Sequence, residues 1–259
     1  MSFSDCVVYE FPCNEKIRTC MRLEKSLQRM HYFIEQDNET AHMSAFGILF
    51  ELIELTARPD LRKDLIQELQ RNRSILLGPN PPAHLDAEQR QAYVTRLDTA
   101  IHDLTTPNAS IKSPQSLRDN DWLSTVRARS KIPGGNCCFD LPSLHYWLGK
   151  PFAERHAHFT RLLSSMGPIE KAVDVILDLL RGTISSRSCT AQSGNVNLSV
   201  PPGVTWSLIR ITLPTSSIHI PEVSVNKFML WIHFLDATAS MKTPPSRSTV
   251  HFDLGLCGL

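Results

Sequence analysis

Three groups of side chains in this 259-residue sequence have types and spacings that could do chemistry. The first is a row of cations, Arg18, Arg22, Lys25 and Arg29, set at intervals of four, three and four residues. On a helix advancing 100° per residue they fall within about 60° of one another, while Leu23, Leu27, Met30 and Ile34 gather on the opposite side. Like charges at these intervals repel and weaken an isolated helix, and Glu15 and Glu24 lie off the row. Two readings stand: a solvated face, or a docking stripe for an acidic peptide or a phosphate backbone. The second group, Arg127, Arg129 and Lys131, closes a predicted helix, where cations meet the negative end of the dipole. A structural and a binding role are both open there.

The third group is Ile132-Pro133-Gly134-Gly135-Asn136-Cys137-Cys138-Phe139-Asp140-Leu141-Pro142. Proline before two glycines forces a specific turn, and Asp140 with Pro142 predicts a helix start carrying His145. Phosphate cradling would need more glycine and a following Lys-Ser/Thr, which the segment lacks. Zinc binding by Cys137 and Cys138 with His156 and His158 has no C-x-x-C pair behind it. A thiol-dependent enzyme using Cys138 and His145, seven residues apart, is the alternative function. The simpler reading is a tight turn that fixes two helices and carries buried thiols. His145, between Leu144 and Tyr146-Trp147, reads as a core or edge residue or as a donor beside the cationic row. Lys227 reads as an edge-strand charge, and Trp206 and Trp231 as sheet packing. Paired carboxylates, G-x-S-x-G, H-E-x-x-H and dinucleotide fingerprints are all missing, so neither an enzyme nor a cofactor is expected.

Periodicity and capping residues place helices near 14–36, 43–56, 60–77, 86–104, 116–130, 141–148, 151–165 and 168–181. Asn14 and Asp140 are predicted N-caps, and Gly182 a C′ residue. After Gly182 the composition changes: five basic and three acidic residues remain, with strand-like runs at 204–213, 223–235 and 249–256. Cys6 to Phe11 also reads as a strand, which needs a sheet to join, and the C-terminal strands are the expected one. The expected fold is α+β, an α-helical domain at 1–182 followed by a smaller antiparallel β-strand domain at 183–259.

With 42% apolar side chains and 27 basic against 26 acidic residues, the chain can bury a sizeable core, which excludes intrinsic disorder. A net charge of +1 leaves no global field for nucleic acid or an anionic membrane. No apolar run approaches the ~20 residues a bilayer demands, and Asp5, Glu10 and Lys16 interrupt any secretory core. Seven irregularly spaced cysteines suit a reducing compartment. The expectation is a cytoplasmic protein that neither binds nucleic acid nor inserts into membrane.

Three motifs carry a resemblance: Glu10-x-Pro12-x-Asn14-Glu15-Lys16-x-Arg18-Thr19-x-x-Arg22-x-Glu24; Ile132-Pro133-Gly134-Gly135 running through Cys138-x-x-Leu141-Pro142-x-Leu144-His145-x-Trp147-Leu148; and Leu177-Asp178-Leu179-x-Arg181. Over about residues 7–235 the chain resembles the ZapD family of bacterial cell division proteins. The resemblance implies a non-enzymatic cytoplasmic homodimer at the mid-cell division site. It would bind the C-terminal tail of the tubulin-like GTPase FtsZ and bundle its filaments in the Z-ring. It also implies a basic pocket using Arg22 and His145, whose third position falls on Asp121, where the family can carry arginine. Arg118, Arg127 and Arg129 are the candidates for that missing charge. Arg58 matches a basic family position. Met229 and His233 stand where the β-strand domain can be basic, leaving Lys227 as its cation. The expected partner-binding set is Arg18, Arg22, Lys25, Arg58, Arg127, Arg129, His145 and Lys227.

Overall fold

The computed structural model describes residues 5–106, 114–135, 137–238, 240 and 242–258. It is an α+β protein of two compact units. One comprises Thr19–Pro81 with Asp86–Leu177; the other comprises Pro82–Leu85, Asp178–Leu259 and Met1–Arg18, as far as these are described.

The first unit is helical. Helix α1 (Glu15–Ile34) begins where Asn14 Oδ1 accepts the Ile17 amide at 2.9 Å, and it buries Leu23, Leu27, Met30 and Ile34 as their spacing predicts. Helix α2 (Glu39–Leu55) starts four residues earlier than periodicity suggests, because Asn38 caps it through the Thr40 and Ala41 amides. Its apolar residues cover most of its circumference, so it forms the centre of the unit, with Phe46 and Leu49 fully buried. Helices α3 (Leu61–Leu77) and α4 (Ala87–Thr105) follow, the latter opened by a capping box between Asp86 and Gln89. The helix expected at 116–130 is two: α5 (Gln115–Arg118) and α6 (Asp121–Ser130). The break is chemical, since Asn120 leaves helical geometry to accept the Leu123 amide at 3.0 Å. Helix α7 (Pro142–Leu148) has Leu141 rather than Asp140 at its N-cap, and no side chain caps it. Helix α8 (Phe152–Leu163) passes through a 3-10 turn (Ser164–Met166) into α9 (Gly167–Gly182). Gly182 belongs to the helix rather than to the C′ position; Thr183 ends it, its hydroxyl on Leu179 O at 2.8 Å.

Phe46, Trp122, Trp147 and Phe159 form an aromatic centre, with Phe46 4.8 Å from Phe159 and 5.0 Å from Trp147 between ring centroids. Beside it the buried Arg155 donates to His42 Nδ1 at 2.9 Å and to Asp37 at 2.8 Å. A guanidinium only donates, so Nδ1 accepts and His42 Nε2–H bonds Ile34 O at 3.3 Å. Burial, and then the Arg155 charge, lower the His42 pKa and keep the ring neutral.

The second unit is a sandwich of two antiparallel sheets. Strands β1 (Cys6–Pro12), β2 (Ser185–Ala191), β4 (Leu208–Pro214) and β7 (Val250–Cys257) form one sheet in the order β1-β4-β7-β2. Strands β3 (Asn195–Ser199), β5 (His219–Val225) and β6 (Met229–Asp236) form the other, in the order β3-β6-β5. Inward residues of both sheets make one core, with Phe234 and Phe252 rings 5.0 Å apart. The run read as a single strand at 223–235 is the β5–β6 hairpin: Asn226 Oδ1 accepts the Phe228 and Met229 amides and turns the chain. Lys227 therefore lies on the hairpin turn instead of in a strand. Strands β2 and β3 were not foreseen: β2 is mostly exposed with little apolar content, and β3 alternates only Val196 and Leu198 over five residues. Between them Gly194, at φ +70°, passes so close to Ser246 O that a Cβ would lie 2.5 Å from it, so the corner needs glycine.

A charged clamp lies on the outer face of the larger sheet. Glu10, opposite Arg210 in register, accepts from Arg210 Nη2 at 2.7 Å and from Arg181 Nη2 at 2.9 Å. Next to Arg210 across the ladder is Gly255, where a Cβ would come within 2.5 Å of Ile184 and 3.2 Å of the Arg210 Cβ. Glu10 and Arg181, both within the motifs that carry the family resemblance, hold this unit together.

Candidate functional site

The side of α1 facing away from the core meets the C-terminal half of α2 in an open cleft of about 470 Å³, lined by Arg22, Lys25, Ser26, Glu51, Glu54 and Leu55. Two carboxylates hold the flanking cations: Glu51 accepts from Arg29 at 3.2 Å, and Glu54 pairs with Arg127 of α6. Arg22 and Lys25 line the cleft beside Leu55 and the buried Ser26, with Arg29 and Arg127 drawn to its two carboxylates. Such a cleft suits an anionic peptide that also brings apolar side chains.

The stripe is less bare than its sequence suggests. Arg18 is paired with Glu15 at 3.5 Å, contrary to the expectation that Glu15 leaves the row unneutralised, because the i,i+3 spacing on α1 lets the two side chains meet. Arg18 also falls in the β-strand unit while Arg22 falls in the helical one. Glu51 and Glu54 escaped the reading, although a signal existed: they are the only charges between residues 43 and 55 and so mark α2's polar edge.

Arg58 does not join this cleft. It lines a second one with Arg62 and Arg118, and donates to Thr19 Oγ1 at 3.0 Å. Arg118 reaches the carbonyl of Thr56, at the end of α2, at 3.4 Å, where a cation meets the negative end of the helix. Asp121 is exposed in the first turn of α6, and there the helix N-terminus favours a carboxylate over a guanidinium. Arg129 and His145 are exposed on α6 and α7, and neither lines the cleft holding Arg22. Lys227 is exposed beside Phe228 in the other unit.

The Pro-Gly-Gly segment is a turn in which Gly135 approaches the Arg129 carbonyl so closely that a Cβ would lie 2.3 Å away. Its thiols are not buried: Cys137 and Cys138 are exposed because the turn closes through backbone contacts, Gly135 N to Ile132 O at 2.8 Å among them. Among the described residues no hydrogen bond joins Cys138 to His145. His156 is engaged with Glu35 and His158 with Trp147, and no cluster of three metal-ligating side chains exists among the described residues. Burial pushes the thiols of Cys13 and Cys20 up to about 12, so both stay protonated. No helix of the described residues is long and apolar enough to cross a membrane.

A family model described as ZapD, cell division protein, matches residues 21–233. The cell division protein ZapD of Janthinobacterium sp. (strain Marseille) is 36% identical over 97% of this chain and 99% of its own length. That of Dechloromonas aromatica (strain RCB) is 36% identical over 98% of this chain and its full length, and that of Ralstonia pickettii (strain 12J) 34% over 97% and 99%. None of these names is that of an enzyme family. The chain belongs to the ZapD family of cell division proteins, and its role is in cell division.

Proposed function

We propose that this protein is a non-enzymatic homodimer that grips the C-terminal tail of FtsZ on its helical unit and cross-links filaments at the mid-cell Z-ring in the cytoplasm. The observation that carries this reading is the open cleft between α1 and α2, where Arg22 and Lys25 lie beside apolar Leu55 and Glu54 holds Arg127 at its edge. Arg129 and His145, exposed on α6 and α7, are further contacts for the tail in this reading, and Lys227 offers a separate contact on the β-strand unit. One short tail on an open surface binds at about micromolar strength, since peptide ordering and salt screening both subtract. A filament displays many tails, so a dimer holding one meets the next at high effective concentration. Twofold symmetry makes the bound dimer a bridge between filaments.

The test is light scattering of polymerising FtsZ. Scattering rises when this protein is added and stays at baseline with tail-deleted FtsZ. An undiminished rise on tail-deleted filaments would refute the tail grip, and a monomer at working concentration in analytical ultracentrifugation would refute the bridge.

A further inference from the structure

The second cleft, about 470 Å³ between the end of α2, the start of α3 and α5, plays no part in tail binding as proposed above. A space of that size accepts a small ligand of nucleotide dimensions. Three guanidiniums line it, those of Arg58, Arg62 and Arg118. The one lining carboxylate, Asp103, is already met by Lys171 Nζ at 2.8 Å, so it cancels little of the positive charge. The Thr19 hydroxyl steadies Arg58. Arg118 is held through Nη2 on Thr56 O, and its Nε is buried with no hydrogen-bond partner among the described residues. Arg62 stands in the first turn of α3, where the N-cap residue Asp60 makes no side-chain capping bond and the Leu61 amide is taken by Arg58 O. Leu104 and Ile169 supply an apolar wall.

The geometry points to a site for a small phosphorylated ligand with a flat apolar body, of nucleoside diphosphate size. Planar guanidiniums match phosphate oxygens in pairs, and three of them exceed what one carboxylate would satisfy. The apolar wall has no use for inorganic phosphate alone and takes the body instead.

Calorimetric titration of the full chain without FtsZ tests this, using ADP, pyrophosphate and adenosine as probes, so that failure here leaves the filament reading untouched. ADP is expected to bind saturably, pyrophosphate several-fold more weakly, and adenosine weakest. Arg62→Glu and Arg118→Lys should each weaken ADP roughly tenfold, while Arg22→Glu leaves it unchanged. Arg118→Lys keeps the charge and removes the planar guanidinium, and urea unfolding of both variants separates lost binding from lost fold. The proposal fails if ADP gives no saturable heat up to about 1 mM at low salt. It fails equally if ADP binding survives Arg62→Glu in full, follows Arg22→Glu, or is matched by adenosine.

Discussion

In the β-strand unit one carboxylate, Glu10, holds two guanidiniums, and the side chains of Glu10, Arg181 and Arg210 are only 15%, 30% and 25% exposed. In the helical unit the Arg29–Glu51 pair of the α1–α2 cleft is 46% and 51% exposed. The ions are alike, but their surroundings are not. Out of water, a charge is costly unless paired, so both arginines of the clamp are bound to Glu10. In water the pairing is worth little, and the same groups remain open to a ligand. The motif that relates this chain to its family therefore mixes two kinds of residue: Glu10 and Arg181 hold a unit together, whereas Arg22 and His145 face solvent.

The largest effect that would break this contrast is in Glu10→Gln. It leaves two half-buried guanidiniums without their anion, and should lower the unfolding free energy by about 2–3 kcal/mol in urea titration, discounted from a fully buried pair. A loss near zero would erase the distinction between the two units. Adding Arg210→Gln should recover part of the loss, because one of the orphaned charges goes with it. Burial raises the Glu10 pKa, but the hydrogen bonds and charges of Arg181 and Arg210 lower it more, leaving it below its ordinary 4.5. A folded-state pKa below the unfolded one means the clamp's contribution is complete above pH 4.5 and is lost as pH falls through the folded value. Thermal melts should therefore drop below pH 4.5, and Glu10→Gln should flatten that acid limb.

A middle-sized effect is expected at Arg22→Glu: roughly tenfold weaker binding of an FtsZ tail peptide at low salt, a smaller loss at high salt, and an unchanged urea midpoint. Equal losses at both salts would show that the cleft does not work through charge. The smallest is Arg29→Ala, which should change stability by no more than about 0.5 kcal/mol. A loss as large as that of Glu10→Gln would make the exposed pair structural after all.

Much of the helical unit was legible from sequence, because Asn14 and the Leu23–Ile34 face announce local decisions that tertiary packing keeps. The division at Asn120 was hidden: an asparagine inside a periodic run is read as surface until its side chain is seen on the Leu123 amide. In the β-strand unit, β7 shows its alternation plainly, whereas β2 at a sheet edge needs little apolar content and the alternation of β3 runs for only five residues. The cationic side of the candidate site was visible as a stripe. Its carboxylates showed only as the polar edge of α2, since Glu51 and Glu54 meet the stripe through the packing of α2 on α1. The misplacing of Lys227 has a similar origin, as the turn at Asn226 carries no glycine or proline to mark it.

Gly255 gives the clamp a vulnerability that no tally of charges would reveal. The stem of Arg210 and the methyl of Ile184 share the space that a Cβ at position 255 would fill. An uncharged alanine there would push the guanidinium away from its anion, and in titrations it would masquerade as a missing ion. Two oppositely charged residues in this sheet are thus coupled through the smallest side chain in the protein, and that hydrogen atom is as much a part of their partnership as either of them.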